Sequence, residues 1–112
     1  MRVSEIMTNA AVTDSPDDTL ADAARKMWHQ QTGSLLVLDG EDLVGIVTER
    51  DVLRAAARGA RFEDVRISEV MTKDIVSVPP GASVREAAKI MADRWIRHLP
   101  VLDSGKLVGV LS

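Results

Sequence analysis

A chain of 112 residues, 46% apolar and 28% charged, supplies one folded domain with a solvated surface and falls short of two of ordinary size. Its net charge of −3 disfavours a nucleic-acid binder, which needs a basic excess to meet phosphates. The absence of cysteine removes disulfides, thiol nucleophiles and thiolate metal ligands, and the longest aliphatic run, Leu35 to Leu38, is too short for a signal-peptide core or a membrane span. A cytoplasmic protein without a membrane partner is the default expectation.

In chain order, RVSEIMT leads into a short β-rich run at Ala11–Thr13 and a proline turn at Pro16. An amphipathic helix is predicted over roughly 19–30, because Leu20, Ala23, Ala24 and Met27 recur at helical spacing. Asp17, Asp18 and Thr19 place negative charge and acceptors at its N-terminus. Strands at 34–38 and 43–48 follow, joined by Asp39-Gly40-Glu41-Asp42, which is hairpin turn chemistry. A second helix is expected from about Glu49 to Arg58, closed by Gly59. After a linker at 59–66 the order recurs. RISEVMT answers RVSEIMT, Ile75–Val78 answers the first run, and Pro80 answers Pro16. The next helix, 83–94, opens with Ser83-x-x-Glu86, a capping box. Strands at 98–102 and 107–112 are joined by Asp103-Ser104-Gly105-Lys106.

Residues 2–48 align with 66–112 without a gap, and 17 of the 47 pairs are identical. The duplicated unit is β-α-β-β-α. One such sheet is too small to bury a core, whereas two units can share one. The expected fold class is α+β: two β-α-β-β(-α) repeats packed with pseudo-twofold symmetry. Residues 1–58 form the first, 59–66 the linker and 67–112 the second, whose final helix is absent.

The MT starts, the proline turns, the Ala-Ala helices, the strands LLVLD and LPVLD, and LVGIVTERDVL resemble the CBS domain, here as a tandem pair, or Bateman module, over essentially the whole chain. The resemblance implies a regulatory module with no resident cofactor. It would take an adenosine-containing ligand (AMP, ADP, ATP or S-adenosylmethionine) in a cleft between the repeats, form a homodimer and signal to an effector protein. It gives ribose and phosphate to Thr48 and Asp51, the base to Ile75, Val76 and Ser77, and phosphate to Arg97 and His98.

The chemistry of these residues suits those roles. A carboxylate offers two acceptor oxygens to vicinal hydroxyls. A threonine hydroxyl beside a helix N-terminus suits a phosphate. Arginine is permanently charged and forks onto phosphate oxygens, and His98 adds charge when protonated. Structural readings compete at each position. Thr48-x-x-Asp51 is also close to a capping box. Arg97 is equally a solvated helix-end cation, and His98 a half-buried strand residue. A second cleft would use Val12, Thr13, Gly33 and Ser34, and its carboxylate would fall beyond Ser112. One competent and one degenerate cleft are therefore expected.

The alternative function is a structural dimerisation domain with unoccupied clefts, in which Trp28 and Trp95 contribute to the interface or cover core edges. Met27 and Met91 are expected in the core. Arg50, Arg54 and Arg58, with Arg61 and Arg66, read as a solvated face rather than a nucleic-acid surface. His29 and His98 stand apart, without a ligand cluster for zinc. No nucleophile–base–acid set is visible, so an enzyme is not expected.

Overall fold

The first amphipathic stretch folds where its caps direct. In a computed structural model describing residues 1–9 and 11–112, α1 spans Leu20–Gln30, and Thr19 Oγ1 accepts the Asp22 amide at 3.1 Å. Gln31 closes it in the left-handed conformation, φ 52°. The stripe of Leu20, Ala23 and Met27 is buried. β1 (Thr13–Asp14) pairs in parallel with β2 (Ser34–Asp39), and β2 pairs antiparallel with β3 (Asp42–Thr48). The first strand is thus two residues long and shifted to Thr13–Asp14 from the expected Ala11–Thr13. α2 (Glu49–Ala57) follows β3 with no intervening loop, and Gly59, at φ 77°, turns the chain away from it. A single helical turn, α3, spans Ile67–Val70.

The second copy repeats the plan. α4 (Val84–Arg94) starts with Ser83 Oγ accepting the Glu86 amide at 3.0 Å, one half of the predicted capping box, and Trp95 closes it at φ 57°. β4 (Leu99–Asp103) and β5 (Lys106–Leu111) form an antiparallel hairpin. Val78 bridges Val101 in parallel, in the place that β1 occupies in the first copy, although 75–78 forms no regular strand. Even the ladder irregularities correspond, between Val37 and Leu38 and between Val101 and Leu102. The architecture is α+β. Among the described residues no helix is long and apolar enough to cross a membrane.

Packing divides the chain into two compact units: Val12–Ile75, and Met1–Ala11 with Val76–Ser112. The boundaries 1–58 and 67–112 follow the duplication, whereas these units follow the contacts. Each leading segment packs on the strands of the other copy. In the first unit Ile67 is fully buried with Leu20, Leu35, Val37 and Val47, and Thr72 exchanges backbone bonds of 2.9 and 3.1 Å with Ile46. In the second, Val3 is fully buried with Val78, Ala87, Leu99 and Val101, and Thr8 exchanges bonds of 2.9 and 3.0 Å with Val110. A helical turn as short as α3 has no stability of its own. Burying Ile67 contributes about 1.5–3 kcal/mol towards holding it there.

Candidate functional site

β3 delivers Thr48 in extended conformation (φ −119°, ψ 168°), and α2 begins at the next residue. Asp51, one turn on, is 8% exposed. Its Oδ2 accepts the Thr48 amide at 2.9 Å and the Thr48 hydroxyl at 3.3 Å. Its Oδ1 meets the half-exposed guanidinium of Arg54 at 3.4 Å. The Glu49 amide donates to the Gly33 carbonyl at 3.0 Å. The carboxylate therefore braces the start of its own helix, as the capping reading anticipates. The two oxygens are not equivalent. Oδ2 has both of its strong acceptor directions filled, while Oδ1 has one long contact and retains capacity for a hydroxyl donor.

Thr48 and Asp51 are thus brought together within the unit Val12–Ile75, which also carries half-buried Ile75 at its last position. Val76, Ser77, Arg97 and His98 belong to the other unit. Val76 is half-buried against that unit's core, and Ser77 is exposed. Arg97 and His98 are neighbours in the connection between α4 and β4, beyond the left-handed residue that ends the helix. Arg97 is exposed and His98 half-buried. The arginine stripe is solvated, and three of its members face acids: Arg54 faces Asp51, Arg61 meets Asp64 at 3.5 Å, and Arg66 meets Asp17 at 3.7 Å.

A second feature lies between α1 and α2. A groove of about 810 Å³ is lined by Ala24, Met27, Trp28, Val52, Leu53 and Phe62. Trp28 is 81% exposed and Leu53 71%, so neither covers the core; Trp95, at the end of α4, is 93% exposed. Leu53 and Phe62 escape a sequence reading centred on the Thr48–Asp51 turn. The signal for Leu53 is its place beside Val52 and Ala56 on α2, whereas Phe62 lies beyond that helix.

Comparison with known proteins identifies the family. The family model of the CBS domain matches residues 3–58 and again 67–112. The CBS domain-containing protein YhcV of Bacillus subtilis is 37% identical over 111 residues, covering 98% of this chain and 79% of YhcV. The inosine-5'-monophosphate dehydrogenase of Korarchaeum cryptofilum is 38% identical over 112 residues, covering 99% of this chain and 22% of that enzyme. Among solved structures, the hexameric CBS-CP12 protein from bloom-forming cyanobacteria aligns with a TM-score of 0.91 at 34% identity, covering 100% of this chain and 67% of that one. Two domain matches in register with the internal repeat, over almost every residue, place the chain in the CBS-domain family as a tandem pair.

Proposed function

We propose that this CBS pair is a regulatory module that binds an adenosine-containing ligand, one of AMP, ADP, ATP or S-adenosylmethionine, in the cytoplasm and conveys its occupancy to an effector protein. Asp51 carries the reading. One of its oxygens is fixed by Thr48 and the other keeps acceptor capacity, which is a preorganised seat for a ribose hydroxyl. The ligand displaces the long Arg54 contact rather than the cap. Thr48 assists at the sugar and phosphate, Ile75, Val76 and Ser77 contact the base, and Arg97 and His98 take the phosphates. The regulatory part draws support from the relatives: the same module makes up most of YhcV and 22% of a dehydrogenase. A ligand shifts the module between states only by its differential affinity for them, so the effector must read a state that the nucleotide prefers.

Calorimetry with AMP, ATP and S-adenosylmethionine tests the proposal. At least one should bind, and Asp51→Ala should weaken it roughly tenfold or more, since hydrogen bonds to a charged group contribute about 1.5–3 kcal/mol. No binding by any of the three at millimolar ligand would overturn it.

The exposed groove favours a second reading, assembly as a homodimer through α1 and α2. Trp28 and Leu53 stand open beside it, and exposed aromatic and aliphatic side chains around a pocket are the usual anchors of an interface. Under this reading Trp28→Ala with Leu53→Ser converts a dimer to a monomer in sedimentation velocity. A wild-type monomer at high micromolar concentration would remove it.

A further inference from the structure

The two copies differ at a position that both bury. Val78 is 5% exposed in its core; its counterpart, 64 residues earlier, is Asp14, whose side chain is 2% exposed. Asp14 sits on β1 opposite Val37 of β2. Its Oδ1 accepts the Ser15 amide at 2.8 Å. Its Oδ2 is closed to solvent and has no hydrogen-bond donor among the described residues. The ammonium of Lys26, from α1, lies 3.7 Å away and makes its 3.0 Å hydrogen bond to the Thr13 carbonyl instead. Asp18, on the turn that follows β1, favours the protonated form of Asp14. β2 presents apolar Val37, and α3 closes the turn from outside, with Ile67 N–H donating to the Asp18 carbonyl at 2.8 Å and Ser68 N–H to the Pro16 carbonyl at 3.0 Å. The charges of α3 are engaged elsewhere, Arg66 towards Asp17 and Glu69 with the Arg66 amide. Asp14 therefore faces one amide, one offset ammonium and one carboxylate.

We propose that Asp14 is a proton-operated latch in the first copy: charged, it is a buried acceptor short of donors beside Lys26; protonated, it donates to Asp18 and fastens β1 to the Ser15–Asp18 turn. A buried polar atom without a partner is costly, and a proton supplies the missing hydrogen bond. Burial pushes the Asp14 pKa above its ordinary 3.8, and Asp18 pushes the same way, while the Ser15 amide and Lys26 pull it back. The sign follows from linkage. A carboxyl whose pKa is raised by folding binds its proton more tightly in the folded chain. Its contribution is full below the ordinary value and is lost as pH rises through the folded pKa. Lowering the pH therefore tightens the latch and raising it loosens it. The turn it fastens leads directly into Thr19, the cap of α1, and receives α3 through the Asp18 and Pro16 carbonyls.

The test is a carboxyl-carbon NMR titration of the full chain, with melting curves of wild type and Asp14→Asn from about pH 4 to about pH 7. Asp14 should titrate above the exposed aspartates in the same spectrum, and Lys26→Met should raise its midpoint further. The melting temperature of wild type should fall progressively behind that of Asp14→Asn as pH rises. Should Asp14→Asn fail to fold, Asp14→Val, the residue of the second copy, serves as the reference, and the wild-type titration needs no variant. An Asp14 midpoint at or below those of exposed aspartates, or a melting difference independent of pH, overturns the proposal.

Discussion

Asp51 Oδ2 accepts both the amide and the hydroxyl of Thr48, so truncating the side chain removes a helix brace together with the proposed sugar contact. Asp51→Ala is therefore expected to lose about 1 kcal/mol of stability by urea denaturation, the usual scale of a lost cap, alongside its loss of binding. Unchanged stability would mean that the brace contributes nothing and would leave the carboxylate to the ligand alone. The pairing of Thr48 with Asp51 was legible in the sequence because it is local: a strand runs into a helix and the two residues stand three apart. Which oxygen is committed was not, since that depends on where Arg54 points. Asp14 was harder. Within Thr-Asp-Ser-Pro-Asp-Asp it reads as one of several solvated turn acids, and β1 is too short to show a period. Its alignment with Val78 was the available signal, and it marks a mismatch without showing that both side chains are buried.

At the scale of elements, the helices are legible because caps and periodicity agree: Thr19 and Ser83 open α1 and α4, and the stripe begun by Leu20 goes inward. The exchange of leading segments is not. RVSEIMT and RISEVMT are nearly the same string, so composition cannot say which hairpin receives which. The glycines of the last strands record the answer in space. A Cβ on Gly109 would lie 2.8 Å from Met7 Sδ and 2.9 Å from the Thr8 carbonyl oxygen, which is tied to the Val110 amide. Met71 crowds Gly45 in the same way in the other unit. The Met7 thioether can swing aside, but the Thr8 carbonyl cannot move without breaking its bridge. Gly109→Ala is expected to cost about 1–3 kcal/mol, the range of overpacking, and to lower the melting temperature by several degrees. Gly81→Ala is the control: its nearest neighbour is the Arg2 guanidinium at 3.6 Å, an ordinary contact, and its melting temperature should stay close to that of wild type. Equal melting of the two variants would mean that the Met7–Thr8 segment does not seat against β5.

For the molecule as a whole, duplication and packing cut the chain at different places, and a fragment experiment separates them. Residues 1–58 contain one full copy of the repeat. They lack Ile67, which is fully buried in that copy's core, and Phe62 and Val65, whose carbonyls accept the Ala21 amide at 3.1 Å and the Leu20 amide at 2.7 Å. They also lack Thr72, which pairs with β3, and they retain Val3, whose burial requires β4 and β5. Residues 12–75 keep the three-stranded sheet, both helices that pack on it and α3. A chain of that size sits near the lower limit for independent folding, so the loss of one fully buried isoleucine and a strand-edge pairing is decisive. The fragment 12–75 should melt cooperatively by circular dichroism and protect the amides of Leu20 and Ile46 from hydrogen exchange, while 1–58 should show neither. The reverse outcome would mean that each copy folds around its own leading segment. The exchange would then be secondary to the repeat, and substitutions at Met7 and Met71 would act on the copies that follow them in sequence rather than on the strands they touch.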